Sequence, residues 1–431
     1  MFDTPAWLRD LNDQQRKAAT WGPGPLLIGA GAGSGKTRTL ACRVASLLDR
    51  GVPPERILLL TFTRRAAREL VGRAGKIGGG KGATRVWGGT FHSVANRLLR
   101  MHGKAVGLPP SFTVMDESDS ADLMNLVRSE LELDRTKNRF PRKETLVSIY
   151  SRVVNSQTRL EEVLNSSFPW CKDDVDGIAG VFTGYNARKR AHHVLDFDDL
   201  LVYWLALMSS AARKPIQDLF EYVLVDEYQD TNDIQARILK GIAARRPNIT
   251  VVGDDAQAIY SFRSATVDNI LQFPEHFQGT EIVTLSRNYR SSQQILDASN
   301  AVIGKARKRY PKDMWCDKQD GVPPRLITCR DEAEQSDMVC RDVLERREQG
   351  MRLQDQAVLF RAAHHSAALE VELSRRNIPY VKYGGLRFVE AAHVKDVLSF
   401  LRILENPRDE LSWFRLLQLV EGVGPATARK I

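Results

Sequence analysis

The sequence predicts an α/β protein built from parallel sheets, with helical segments inserted into the α/β framework. Three observations support this class. The chain has 431 residues, more than one hydrophobic core accommodates, so two or more domains are expected. Short, continuously apolar runs alternate with helical patterns, which is typical of strands buried on both faces of a parallel sheet. One long stretch between these runs has no convincing signal for a buried strand.

Six apolar runs are the strand candidates of the first α/β unit. They lie at 26–28, 57–61, 85–88, 222–225, 249–252 and 282–285. Most are β-branched or leucine-rich, and helical patterns follow several of them. Functional side chains in such sheets lie at the carboxyl ends of the strands. The residues after each run are therefore the first candidates for a site.

The remaining segments suggest the domain order. Residues 101–195 are rich in charge and helix formers, and we predict that they form a helical insertion between two parts of a first α/β domain, 1–100 and 196–285. A second, partial α/β domain is predicted over 286–385, with a strand at 357–360. Residues 386–431 are predicted to begin a helical accessory domain. Its segment 422–425 is either a helix-hairpin-helix turn that holds a duplex phosphate or an ordinary glycine-capped helix turn.

Composition favours a soluble cytoplasmic protein with a polyanionic partner. The formal net charge of +9 makes nucleic acid the first candidate. No apolar run reaches the ~18 residues that suggest a membrane span, and the first ten residues resemble no secretion signal. The five cysteines are odd in number and form no CxxC pair, so a zinc site or a disulfide framework is not expected.

A phosphate-binding loop follows the first strand candidate. Residues 30–37 read AGAGSGKT, with alanine in place of the first glycine of the strict pattern. The glycines let the backbone curl so that N–H groups point at the β-phosphate, and Lys36 reaches the β- and γ-phosphates. The Thr37 hydroxyl would bind Mg²⁺. The predicted nucleotide-binding residues here are Ala30, Gly31, Ala32, Gly33, Ser34, Gly35, Lys36, Thr37 and Arg38.

Two adjacent carboxylates end the apolar run at 222–225. Asp226 would hold Mg²⁺, either directly or through water. Glu227 would act as the general base that polarises the attacking water. The predicted cofactors are therefore ATP and Mg²⁺, with Thr37 and Asp226 as the metal-binding residues.

The segment DEYQDTN at 226–232 resembles the second motif of the UvrD/Rep/PcrA-type superfamily 1 DNA helicases. Other segments resemble the family's motifs in order: LNDQQ at 11–15, TFTRRAA at 61–67, GTFHS at 89–93 and DFDDLL at 196–201. The resemblance implies RecA-like P-loop NTPase domains. It also implies that Gln15 reads the adenine edge and that DNA contacts come from Thr61, Phe62, Thr63 and His92.

Two later segments extend the resemblance. VGDDAQAIYSFR at 252–263 is similar to the third motif, which implies that Gln257 senses the γ-phosphate while Tyr260, Phe262 and Arg263 face DNA. The family usually has tryptophan where this chain has Phe262, and aspartate where it has Ala256. LSRNYRSS at 285–292 resembles the fourth motif. By that resemblance, Tyr289 stacks on adenine, and Arg290 reaches the γ-phosphate from the second domain, so that hydrolysis depends on cleft closure.

The resemblance implies an ATP hydrolase whose catalytic residues are Lys36, Asp226, Glu227, Gln257 and Arg290. It would be a helicase or translocase that moves 3′ to 5′ on single-stranded DNA and acts at single-strand/duplex junctions. Repair or replication restart in the bacterial cytoplasm, in association with the nucleoid, is the expected setting.

Two alternatives stay open: the motor part of a helicase–nuclease, and a DNA-binding ATPase switch that does not translocate. Two further family motifs, one with a second arginine for the γ-phosphate, do not occur in this sequence. We therefore expect a C-terminally truncated chain that does not unwind DNA by itself.

Overall fold

The computed structural model describes residues 5–78, 80, 82–133, 140–261, 264–318, 321–383, 392–420 and 422–428. Its strands are β1 (Leu26–Ala30), β2 (Ile57–Thr61), β3 (Trp87–Thr90), β4 (Thr113–Val114), β5 (Val194–Leu195), β6 (Tyr222–Val225), β7 (Ile249–Gly253) and β8 (Glu281–Leu285). Its first ten α-helices are α1 (Ala6–Arg9), α2 (Asp13–Thr20), α3 (Lys36–Asp49), α4 (Arg64–Ile77), α5 (Phe91–His102), α6 (Glu117–Glu130), α7 (Lys143–Ser156), α8 (Leu160–Ser167), α9 (Val175–His192) and α10 (Phe197–Leu207). The remaining α-helices are α11 (Arg213–Leu219), α12 (Asp233–Ala243), α13 (Asp268–Leu271), α14 (Phe273–His276), α15 (Gln293–Ile303), α16 (Glu332–Glu348), α17 (Ala367–Arg375), α18 (Ala392–Glu405), α19 (Glu410–Leu417) and α20 (Pro425–Ala428).

One six-stranded sheet of the order β3-β2-β6-β7-β1-β8 organises the chain, and every pairing in it is parallel. β1, β2, β6 and β7 are buried along their whole length, as expected for strands covered by helices on both faces. The predicted α/β class with a parallel sheet is thereby confirmed. All six carboxyl ends meet at one edge, which brings the loops after β1, β2, β6 and β7 together.

The third strand lies two residues later than predicted. Residues 83–85 form a single turn of 3₁₀ helix, so β3 begins only at Trp87. The run at 85–88 contains no signal for this turn. The end of the strand was missed because Gly89 adds no apolar side chain to the run.

The helical insertion contains α6, α7, α8 and α9 around its own apolar core. β4 and β5 pair in parallel where the chain enters and leaves it. No strand was predicted between 101 and 195, and that expectation was wrong for these two short strands. Two residues are too few to show the alternation that identifies a strand.

The DFDDLL segment fixes the exit of the insertion. Asp196 caps α10 and accepts a hydrogen bond from the Tyr185 hydroxyl at 2.8 Å. The buried Lys189 ammonium lies 2.6 Å from an Asp196 oxygen and 2.7 Å from an Asp199 oxygen. A buried cation is tolerated because these two carboxylates and the Tyr150 hydroxyl surround it.

Internal contacts divide the chain into two compact units, residues 1–322 with 399–431 and residues 323–398. The smaller unit packs α16 against α17 around Cys340, Leu369, Leu373 and Ile378. The strand predicted at 357–360 is wrong, because these residues form no strand and Leu359 is 93% exposed. A strand needs a hydrogen-bonded neighbour, and no described segment pairs with this one. The domain boundaries predicted at 286 and 385 differ from this division and stay predictions.

The predicted turn at 422–425 follows α19 and ends at the first residue of α20. Gly422 has a φ of +84°, and α20 begins at Pro425. Both interpretations of the turn stay open. Among the described helices, none combines the length and the apolar character that a membrane span requires.

We predict that Arg43→Met destabilises the larger unit strongly. The Arg43 side chain on α3 is fully buried and donates to the Thr250 hydroxyl at 2.7 Å and to the Trp21 carbonyl at 3.0 Å. Burial and the nearby Arg50 cation lower the pKa of Arg43 to about 10, so the cation persists at neutral pH. Removal leaves the Thr250 hydroxyl oxygen and the Ala18 carbonyl without their Arg43 donor, at about 1–3 kcal/mol each, while the Trp21 carbonyl keeps a hydrogen bond from Arg50. Thermal unfolding measures the loss, and Arg73→Met at an exposed pair is the control, expected to cost under about 1 kcal/mol.

Candidate nucleotide and nucleic-acid site

The loop after β1 has the curled backbone that phosphate binding needs. Gly33 and Gly35 have φ values of +73° and +88°, which only glycine adopts without strain. The Ser34 hydroxyl donates to the Gly31 carbonyl at 2.7 Å and tightens the turn. α3 begins at Lys36, so its unpaired N–H groups and positive dipole end face the same point.

The second glutamine of the LNDQQ segment at 11–15 supports this loop. Gln15 is buried, and its Nε2 donates to the Ser34 carbonyl at 3.0 Å. Its Oε1 accepts from the Asn12 N–H at 3.1 Å in a capping box at the start of α2. The Asn12 amide in turn donates to the Tyr289 hydroxyl at 2.9 Å. Recognition of adenine by Gln15 stays a prediction, while the observed contacts make it a support of the loop.

Lys36 and Glu227 meet at the carboxyl ends of β1 and β6. The Lys36 ammonium lies 3.2 Å from Glu227 Oε2, and the side chains are 10% and 35% exposed. Glu227 has a φ of +51°, an uncommon conformation for a side-chain-bearing residue that often occurs at functional sites. Gln229 Nε2 donates to Glu227 Oε2 at 2.9 Å. The carboxylate is thus held from two sides while part of it remains accessible.

Asp226 is suited to hold a divalent cation. Its side chain is buried, and burial together with the adjacent Glu227 raises the pKa of Asp226 to about 7, although Lys36 opposes this. A hard cation prefers carboxylate and hydroxyl oxygens, which Asp226 and the half-buried Thr37 supply. Because the carboxyl carries a proton at lower pH, cation binding there should release one.

The fourth motif lies directly against the phosphate loop. The Tyr289 N–H donates to the Gly33 carbonyl at 2.9 Å, and Asn288 Nδ2 donates to the Ala32 carbonyl at 2.6 Å. Tyr289 and Arg290 are both exposed, and they belong to the same compact unit as the loop. The sequence placed Arg290 on a separate domain across a cleft; the division into compact units differs from that placement, which stays a prediction. Asn288, which bridges the two motifs, was missed because an asparagine between two charged motif residues has no distinctive signal.

Gly33→Ala should weaken nucleotide binding by about tenfold or more. A Cβ atom at Gly33 would lie 2.7 Å from Asn288 Nδ2 and 2.8 Å from Arg290 Cβ, and the left-handed conformation adds about 1–2 kcal/mol of strain. Gly24→Ala is the matched control, because Gly24 also has a positive φ but a Cβ atom there would meet no other atom within 4 Å. Titration with a fluorescent nucleotide compares the two. Equal affinities in both variants would contradict the close fit of the fourth motif on the loop.

Two aromatic rings meet at the carboxyl edge of the sheet, where the residues predicted to bind the nucleotide also lie. Phe62 follows β2 and Tyr260 follows β7, and their ring centroids are 4.7 Å apart. Phe62 is 36% exposed and Tyr260 is half-buried, so part of each side chain is accessible to solvent. Phe262 and Arg263, which the sequence also assigned to DNA, lie outside the described residues.

The other predicted DNA-contacting residues have local structural contacts. The buried Thr61 hydroxyl donates to the Thr63 carbonyl at 2.8 Å, and the Thr63 hydroxyl caps α4 by accepting from the Ala66 N–H. His92 lies edge-on to Phe197, with 6.1 Å between ring centroids. Phe197 is 47% exposed and was not a sequence candidate. The assignment of Thr61, Thr63 and His92 to DNA stays a prediction.

Arg38 stays a prediction as well. Its guanidinium lies 3.2 Å from an Asp10 carboxylate oxygen, and both side chains are largely exposed. A surface pair of this kind contributes little to stability and exchanges readily. Exchange of Asp10 for a nucleotide phosphate would therefore cost Arg38 little.

Comparison with known proteins gives a consistent result. The family model for the UvrD/REP helicase N-terminal domain matches residues 11–278, and the model for the UvrD-like helicase C-terminal domain matches residues 283–431. An ATP-dependent DNA helicase PcrA of Staphylococcus aureus strain Mu50 is 34% identical over 430 residues, which is 99% of this chain and 58% of the relative. A protein of the same description from Leuconostoc citreum is 37% identical over 411 residues, 94% of this chain and 54% of the relative. The chain thus spans little more than half the length of these relatives.

Proposed function

Because this chain belongs to the UvrD/REP helicase family, we propose that it is the nucleotide-binding part of an ATP-dependent DNA helicase that moves 3′ to 5′ on single-stranded DNA. One observation carries the proposal. The loops after β1, β6 and β7 are joined by hydrogen bonds that run from Lys36 through Glu227 and Gln229 to the third motif. Three residues beyond Gln257, Tyr260 pairs with Phe62. Gln257, which is suited to contact a phosphate, and Tyr260, which is suited to stack on a base, thus lie in the same loop after β7.

The residues present fit ATP hydrolysis. Lys36 and the amides at the start of α3 supply positive charge for the β- and γ-phosphates. Mg²⁺ held by Thr37 and Asp226 would neutralise phosphate charge. Glu227, oriented by Gln229, accepts the proton of the attacking water. When the γ-phosphate occupies the loop it competes with Glu227 for the Lys36 ammonium, which frees the carboxylate to act as a base.

DNA binding is proposed for the edge that carries Phe62 and Tyr260. Aromatic rings with an accessible face accept successive bases by stacking with little sequence preference. The net charge of +9 favours attraction of a polyanion, so that affinity should fall as salt rises. The proposed DNA substrate is a single-strand/duplex junction. The proposed location is the bacterial cytoplasm near the nucleoid, and the proposed role is in repair or replication restart.

ATP turnover with and without single-stranded DNA tests this function. We expect the DNA to stimulate hydrolysis severalfold, with Lys36→Ala inactive under both conditions. Directional movement is tested on the product of the complete gene with strands labelled at the 3′ or the 5′ end. Hydrolysis that DNA stimulates without movement would favour the ATPase switch. A product of the complete gene that hydrolyses no ATP would contradict the proposal.

A further inference from the structure

Lys312 is a buried lysine that belongs to none of the motifs described above. Its side chain is 5% exposed, and its ammonium lies 2.5 Å from Asp254 Oδ1. It also donates to Asp255 Oδ1. Both acidic side chains are 3% exposed, and both lie in the loop after β7. A buried ammonium is stable only with such partners.

The segment that carries Lys312 is anchored on both sides of it. The Tyr310 N–H donates to Asp255 Oδ2 at 3.0 Å, and the Tyr310 hydroxyl donates to the carbonyls of Ile270 and Leu271. On the other side, the Trp315 N–H donates to the Ser286 carbonyl at 3.1 Å. These contacts fix the backbone on both sides of Lys312 and therefore hold Lys312 next to Asp254 and Asp255.

Asp254 transmits this position to Gln257. Its Oδ2 accepts from Gln257 Nε2 at 2.6 Å, and its Oδ1 accepts from the Ala256 N–H at 3.2 Å. The Asp254 N–H donates to Gln229 Oε1 at 3.0 Å, and Gln229 orients Glu227. Asp254 thus connects the side-chain amide of Gln257 with Gln229, the residue that orients the proposed general base Glu227.

The charge state of Asp254 agrees with this arrangement. Burial alone would raise the pKa of Asp254, but the Lys312 ammonium and the hydrogen bonds from Lys312 and Gln257 lower it below its usual value. The carboxylate is therefore ionised at neutral pH. An ionised acceptor makes a shorter and stronger bond to the amide of Gln257 than a neutral one.

We propose that Lys312 is a positioning residue for ATP hydrolysis, which holds the Asp254 carboxylate so that Gln257 keeps a single orientation. The inference rests on the proposed ATPase function. Lys312 acts through Asp254 and Gln257 and contacts neither nucleotide nor water in this role. Loss of the ammonium should therefore lower kcat, while the KM for ATP changes little.

A double-mutant cycle between Lys312→Met and Gln257→Ala tests the proposal. Lys312→Met should reduce kcat about tenfold to a hundredfold, a loss comparable to that on removing a residue that orients a metal ligand. In the Gln257→Ala background, the same change should reduce kcat less than about twofold, because the group it orients is gone. Additive losses would overturn the proposal, and so would an unchanged kcat in a folded Lys312→Met protein. If Lys312→Met does not fold, Lys312→Gln, which keeps a donor for Asp254, replaces it in the cycle.

Lys308→Met is the matched control. Lys308 lies four residues earlier, is 74% exposed and pairs with Asp268 at 3.5 Å, so its loss should leave kcat unchanged. If neither the unmodified chain nor the product of the complete gene hydrolyses ATP, the proposed function fails, and the positioning contact is judged by hydrogen exchange. The amides of residues 254–258 should then exchange about fivefold faster in Lys312→Met but not in Lys308→Met. Unchanged exchange in both variants would overturn the inference independently of activity.

Discussion

Glu227→Gln is expected to bind ATP normally and to lose turnover by about a thousandfold. The amide keeps the size of the carboxylate and its contact with Gln229, but it cannot accept a proton from water. General-base catalysis contributes about 10²–10⁴ in rate. ATP binding should be preserved or improved. The Lys36 ammonium lies 3.2 Å from the Glu227 carboxylate, and in the variant no negative charge competes with the ATP phosphates for this ammonium. Turnover with single-stranded DNA and affinity for a fluorescent nucleotide are measured separately.

Glu221→Gln provides the control for this prediction. Glu221 precedes β6, so it lies at the opposite end of the strand that leads into Glu227. Its carboxylate lies 3.7 Å from the Arg56 guanidinium. We expect a change in turnover below about twofold, as for most partly exposed surface pairs. Retained turnover in Glu227→Gln would assign the base to another residue, and lost ATP affinity would make Glu227 a binding residue instead.

The parts of the fold that the sequence predicts well are those with a local pattern. The runs that became β1, β2, β6 and β7 are continuously apolar because helices cover both faces of the sheet. The glycines at 33 and 35 mark a backbone that no other residue type adopts easily. Since parallel strands end at one edge, the fold class places Lys36 and Glu227 at the same edge of the sheet. Their contact across 191 positions of sequence also needs the strand order, in which only β7 separates β6 from β1. The family assignment, which rested on these motifs, is confirmed by the match to residues 11–278.

The contacts that were missed depend on partners distant in sequence without a periodic signal. Lys312 and Asp255 are 57 positions apart, and nothing in the segment around Lys312 distinguishes a buried lysine from a solvated one. Asn288 and the Ala32 carbonyl are separated by 256 positions. The run at 357–360 shows the opposite error, because its apolar residues suggest a strand while its backbone pairs with no described segment. Local sequence indicates which secondary structure a segment can form. Whether the segment forms it depends on contacts with segments that are distant in sequence.

Simultaneous replacement of Phe62 and Tyr260 by alanine is expected to abolish most binding of single-stranded DNA. Each stacking ring contributes about 1–3 kcal/mol, so two independent contributions would add to about 2–6 kcal/mol in the double variant. This loss corresponds to a factor between about thirty and more than ten thousand in Kd. Because the rings are in contact with 4.7 Å between their centroids, the single replacements should be non-additive. Fluorescence anisotropy with a labelled oligonucleotide at fixed salt gives the three affinities.

The control for the aromatic pair is Trp170→Ala, because Trp170 is an exposed aromatic of the helical insertion, 71% exposed, that packs edge-on against Phe168. Its removal should leave DNA affinity unchanged. Basal ATP turnover of the double variant should also persist, since neither ring takes part in the Lys36–Glu227 pair, while stimulation by DNA should disappear. The salt dependence of binding then separates stacking from attraction to phosphates. The slope of log Kd against log salt concentration measures how many DNA phosphates the protein's cations neutralise, so this slope should stay the same when only rings are removed. A changed slope, or DNA affinity that survives the double replacement, would place the single strand on another surface.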